Sequence, residues 1–226
     1  SEEIEALGGE ALPLQCDVRD DAQIEATVQK VMEHFGRLDI LINNAGALWW
    51  QPVADTPAKR FDLMMDVNVR ASFLLSRAAM PHMIKEGWGH IINMSPPVDL
   101  RVLKGRVGYF ISKYGMTMLA QGLSMELEGK NVAANALWPA TLIDSQATRN
   151  WGMGTEADWR KASIMVDATL AILKRPPKER RGRALSDEES LEEAGATDFS
   201  PYNRGEGGDP VRILPDDVLK AMAEDA

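Results

Sequence analysis

"HIINMSPPVDLRVLKGRVGYFISKYG", residues 90 to 115, decides how the rest of the chain is read. It opens as a continuous apolar run ending near Met94, the pattern of a parallel strand covered on both faces. It closes in a helical segment carrying Tyr109 and Lys113, four residues apart. That spacing puts both side chains on one helix face. An ammonium beside a phenol favours the phenolate and lowers its pKa, so such a tyrosine can serve as an acid or a base. Between strand and helix stand Ser95, Pro96 and Pro97. By itself a tyrosine and a lysine at this spacing describe a solvated helix face equally well. Their position after a buried strand end raises the chemical reading.

Working outward, the same alternation repeats. "SEEIEAL" reads as the tail of a helix, closed by Gly8 and Gly9. "ALPLQCDV" (11–18) reads as a short strand. Asp20 can cap the next helix, in which Ile24, Val28, Val31, Met32 and Phe35 share a face up to Gly36. "LDILINNAG" is an apolar strand, and Thr56-Pro57 starts a long helix running to Ile84. After the opening stretch come the strand "NVAANALWP", a loop with short helical pieces, and a helix with Ile164, Ala168 and Ile172 on one stripe. A last short strand follows "PPKERRGRALS". Strand and helix in alternation imply a parallel sheet with helices on both faces, joined by right-handed crossovers. From about Asp187 the chain turns acidic and rich in Gly and Pro. This divides it into a domain over 1–186 and an appendage over 187–226, which ends in the helix-like "PDDVLKAMAED".

Composition narrows the function. The 226 residues suffice for one α/β core. A net charge of −9 argues against a non-specific nucleic-acid binder. The single cysteine, Cys16, cannot form an internal disulfide, and no apolar run reaches the roughly 18 residues of a membrane span. A cytoplasmic protein is therefore expected. His34, His82 and His90 show no metal-ligand spacing with carboxylates, so no metal site is expected.

In an open parallel sheet, ligands bind beyond the carboxyl ends of the strands. That rule selects Asp17-Val18, "NNAG" (Asn43 to Gly46), Ser95 and Trp138-Pro139. Ala45 and Gly46 allow a flat ligand to approach the backbone. With Asn68 in "MMDVNVRASF" and "ANALWPATLIDS", these motifs run in a recognisable order, and the chain resembles a short-chain dehydrogenase/reductase from about residue 10 to 185. "NMSPP", "ISKYGM", "NALWP" and "RALSDEESLEEAG" are most similar to the hydroxysteroid dehydrogenase-like subgroup.

The resemblance implies a Rossmann-type doubly wound parallel sheet, a cofactor that is NAD or NADP, and a role for each matched residue. Tyr109 would be the proton donor or acceptor. Lys113 would lower its pKa and hold the nicotinamide ribose. Asn68 would hold a water in a relay to Lys113. Asp17 and Val18 would meet the adenine, Asn44, Ala45 and Gly46 the adenosine ribose side, and Pro139 to Leu142 the nicotinamide amide. The hydride chemistry belongs to the cofactor.

Two departures stand out. The family's opening strand and Gly-rich phosphate turn do not occur here; "GMG" at 152–154 follows no strand. The expectation is an N-terminally incomplete sheet, lacking the family's first two strands. The second departure is the serine. The position where the family carries it, counted back from Tyr109, is Pro96. Ser95 is one residue earlier, and adjacent strand residues face opposite ways. Either the prolines bend Ser95 into the site as a catalytic residue, or tyrosine, lysine and asparagine act alone.

Trp49, Trp50, Trp138 and Trp151 suggest an aromatic mouth suited to an apolar alcohol or carbonyl compound. Packing or oligomer contacts explain them as well. The apolar helices "ASFLLSRAAM" and "MTMLAQGLSMEL" suggest a homodimer or homotetramer by analogy with the family. The rival reading is a non-catalytic binding or scaffold protein that retains the fold.

Overall fold

The computed structural model describes residues 1–98, 100–179, 181–205 and 210–213. Four parallel strands form one sheet in chain order: β1 (Ile40–Asn43), β2 (Gly89–Met94), β3 (Val132–Trp138) and β4 (Ala184–Ser186). Ile40 lies opposite His90, Gly89 opposite Val132, and Ala136 opposite Ala184. The side chains alternate between two cores, as strand geometry requires. Ile91, Val132 and Ala134 pack with Ala79, Met83 and Leu123 on one face. Ile92, Leu137 and Leu185 pack with Ile164, Ala168 and Ile172 on the other.

The first face is covered by α4 (Ala71–Glu86) and α5 (Val107–Glu126), with α2 (Asp21–Phe35) packed on α4. The second is covered by α7 (Ser163–Leu173) and α8 (Asp187–Glu192). The short helices α1 (Glu2–Ala6), α3 (Ala58–Met64) and α6 (Gln146–Asn150) complete the set. Asp20 caps α2 through the N–H groups of Ala22 and Gln23, and Gly36 closes it with φ of 74°. The long helix expected from Pro57 is continuous, but a wider π turn, Met65–Arg70, separates α3 from α4.

Two expectations are corrected. Residues 11–17 form no strand and make no sheet pairing with the described residues. A strand needs a hydrogen-bonded neighbour. Among the described residues β1 pairs only with β2, and Ile40 and Ile42 are more than a third exposed. The segment beyond Ser186 is no separate appendage as far as it is described. Asp187 is fully buried, and Leu191 belongs to the core of Ile164 and Leu185. Val211 and Ile213 then return to hydrogen-bond Leu142 and Ala140. The acidic end "PDDVLKAMAED" lies outside the described residues.

Candidate active site

The site is built at the carboxyl ends of β1, β2 and β3, where the loops of a parallel sheet converge. Asn68 is buried in the π turn. π turns inside helices recur at functional sites because they reorient one side chain. Here the Asn68 Oδ1 accepts from the Ala47 N–H at 2.7 Å, while its Nδ2 donates to the Ala47 carbonyl at 3.0 Å and to Ser112 Oγ at 2.8 Å. Both of its N–H donors are thus spent on holding Ala47 and α5, and neither is directed at Lys113.

That clamp fixes the "NNAG" turn. A side-chain carbon added at Gly46 would stand 3.6 Å from Asn68 Oδ1 and 3.7 Å from Lys113 Nζ. Gly46, Asn68 and Lys113 therefore meet at one point. The Lys113 ammonium is 95 % buried and donates to the Met94 carbonyl at the end of β2, 2.7 Å away. Burial lowers its pKa to about 8. One turn earlier on α5, the buried Tyr109 packs edge-on to Trp50 and Phe110. Burial pushes its phenol above the usual value. Lys113 does not offset this, so the lowered tyrosine pKa expected from the spacing is absent in this state.

Tyr109 lines a cavity of about 610 Å³. Pro139 and Leu142 form part of its wall, with Trp50 and Trp138. Of the four tryptophans expected at a mouth, Trp49 and Trp151 are not in this wall; Trp151 meets Trp49 and Trp50 with ring centroids 5.9 and 6.3 Å apart. A wider cavity, about 840 Å³, opens at the other end of the sheet near Trp88 and Pro176. It touches none of the residues singled out above, and it lies at the wrong end of the strands for a ligand of this fold.

Ser95 is not brought to Tyr109. It is fully buried, is absent from the cavity wall, and its hydroxyl accepts from Thr117 Oγ1 at 3.1 Å. Thr117 also donates to the Pro96 carbonyl. The residues expected on the adenosine side are more open. Asn44, Ala45 and Gly46 are exposed. Asp17 sits in a turn with the half-buried Val18, and its pairing with the Arg19 guanidinium lowers its pKa to about 2.

Sequence reasoning missed Arg106, Thr148 and the segment Val211–Ile213, all in the cavity wall. Arg106 stands one helical turn before Tyr109, which could have pointed to it. Nothing local to Val211–Ile213 could have done so. Asp187 was also missed. Its Oδ1 accepts from the Ala140 and Glu188 N–H groups, tying α8 to the Pro139–Leu142 segment. Its pKa is raised to about 6, chiefly by burial.

Known proteins match this architecture. The short chain dehydrogenase family model covers residues 1–154. Hydroxysteroid dehydrogenase-like protein 2 of Mus musculus is 45% identical over 222 residues, 97% of this chain and 44% of that protein. The chain spans about half the length of the curated relatives it matches. A short chain dehydrogenase structure from Mycobacterium thermoresistibile superposes with a TM-score of 0.87 and 38% identity, covering 94% of this chain and 77% of that one. A metagenomic short-chain oxidoreductase in complex with NADP gives a TM-score of 0.68 at 28% identity, covering 82% and 77%. With its parallel sheet and its Tyr109-Lys113 helix, the chain belongs to the short chain dehydrogenase family, in its hydroxysteroid dehydrogenase-like subgroup, a family of oxidoreductases that use NAD or NADP.

Proposed function

We propose that this domain interconverts an apolar alcohol and its carbonyl compound with NAD or NADP, with Tyr109 as the proton donor or acceptor. The observation that carries this reading is the placement of Tyr109 in the wall of a largely apolar cavity, one turn from a lysine whose Nζ would stand 3.7 Å from a side-chain carbon added at Gly46. The residues present fit the nicotinamide end of such a cofactor. Gly46 leaves space beside Asn68 and Lys113 that a larger side chain would fill, and Pro139 and Leu142 border the same cavity. Lys113 would hold the ribose there, and the backbone of Pro139 to Leu142 would meet the amide. Asp17, Val18, Asn44 and Ala45 would receive the adenosine side. The bound cofactor supplies or accepts the hydride.

The protein's own part is position and the proton. Burial keeps the Tyr109 phenol protonated, which suits donation to a carbonyl oxygen in the reduction direction. Oxidation needs the phenolate, which burial opposes in this state. Asn68 acts by holding Ala47 and so keeping Gly46 against Lys113. Ser95, turned to Thr117, supports the end of β2 rather than the reacting carbonyl.

Titration of the full-length protein with NADH and NADPH, read by fluorescence, tests the reading. Binding of either supports it. Binding of neither favours the scaffold alternative. We further infer self-association through α4 and α5, where Phe73, Ile111, Met118 and Met125 are each about half exposed or more. Sedimentation of a purely monomeric species at micromolar concentration would refute it.

A further inference from the structure

We propose that the substrate carries an anionic group, a carboxylate or a phosphate, at one end of its apolar body, and that Arg106 receives it. This rests on the oxidoreductase reading for the use of the site, but on the cavity alone for the anion. The cavity beside Tyr109 is lined by two cations, Arg106 and Arg212, and by no aspartate or glutamate among the described residues. That balance opposes the chain as a whole, whose net charge is −9.

The two arginines differ. Arg212 donates to the Glu188 carboxylate at 2.8 Å, and Glu188 in turn is paired with the buried Arg160. Arg106 lies over the Trp50 ring, 4.5 Å from its centroid, and pairs with no carboxylate among the described residues. Stacking occupies the plane of a guanidinium and leaves the N–H donors at its edge for a planar anion. Arg106 is also the N-cap residue of α5, whose first turn has neither an acidic residue nor a side-chain cap. Nothing local neutralises this positive end.

A second observation is independent of charge. Trp50 and Trp138, both in the cavity wall, have buried indole N–H groups without a partner among the described residues. An indole N–H can only donate. Leaving a buried donor unpaired is costly. Two residues of the cavity wall therefore carry donors without a partner. A ligand with acceptor oxygens at one end and apolar surface along the rest supplies what is missing.

The test is equilibrium binding of octanoate, octyl phosphate and methyl octanoate to the full-length protein, read by tryptophan fluorescence. At least one anion is expected to bind about tenfold more tightly than the ester, a difference of about 1.4 kcal/mol. The tighter of the two anions identifies the head group. In Arg106→Gln the anion-to-ester ratio should fall toward one, and in Arg106→Lys it should partly survive. Equal binding of ester and anions by the unmodified protein overturns the inference, as does an undiminished ratio in Arg106→Gln. Turnover of 3-hydroxyoctanoate with NAD+ or NADP+ is scored separately. No turnover with a retained anion preference breaks the oxidoreductase reading and leaves the anion site standing.

Discussion

The two sides of the candidate site stand in different conditions. Asn68, Tyr109 and Lys113 are buried and held by other elements, through Ala47, Ser112 and the Met94 carbonyl. Asn44 and Ala45 are exposed, and Asp17 pairs with Arg19 only two residues along. The side with Tyr109 and Lys113 is anchored to β2, which has a strand on either flank, and to α5, which packs on β2 and β3. The side with Asn44 and Ala45 hangs on β1, whose outer edge is paired with none of the described residues. A side chain is positioned only as well as the element beneath it is surrounded. The Tyr109 side is therefore the more heavily braced of the two, and the Asn44–Ala45 side has fewer contacts to hold it.

The comparison can be broken most forcefully at Tyr109. Tyr109→Phe should lower turnover by about 10²–10⁴-fold while NADH or NADPH affinity holds; a variant that still turns over at the parent rate removes the proposed acid. Lys113 gives the next effect, through pH. Its folded pKa of about 8 lies below the ordinary 10.5, so between these values the unfolded chain binds more protons than the folded one. Stability should then rise with pH across that window, by about 3 kcal/mol. Urea unfolding should show the rise in the parent protein and lose it in Lys113→Met; identical pH profiles would mean that the ammonium is not buried as described.

Asn68→Ala removes three hydrogen bonds of the clamp and should destabilise the fold by about 2–3 kcal/mol. A smaller loss would mean that Ala47 is held by something else. Ser95→Ala tests the boundary of the Tyr109 side. The bond from Thr117 and a long one of 3.4 Å to the Asn93 carbonyl are lost, so about 1 kcal/mol of stability should go while turnover stays close to the parent's. A turnover collapse would bring Ser95 into the mechanism and redraw the site. Asp17→Asn is the smallest, with no measurable change in melting temperature; a clear drop would show that the adenosine side is more ordered than its exposure implies.

Much of this was legible in the chain. The strands at Ile40, Gly89 and Val132 and the helices after Asp20 and around Tyr109 follow from local hydrophobic periodicity and from caps, which neighbouring residues carry themselves. The convergence of "NNAG", Asn68 and Lys113 was readable only as an ordered set of motifs, because each alone fits a turn or a helix face. The direction of Ser95 was not readable. Its choice between the cavity and Thr117 depends on how β2 ends against α5, across 22 residues of chain.

By itself the sequence determined the alternating α/β order, the two-faced apolar strands and the shared face of Tyr109 and Lys113, because these obey periods of two and of 3.6 residues. Tertiary structure decided the rest. Residues 11–17 have an apolar, strand-like pattern yet join no sheet among the described residues. Residues from Asp187 onward look like a tail, but their buried side chains complete the core and their later backbone walls the cavity. Both outcomes turn on contacts between residues far apart in the chain, and pairing and burial are properties of neighbours in space rather than of composition.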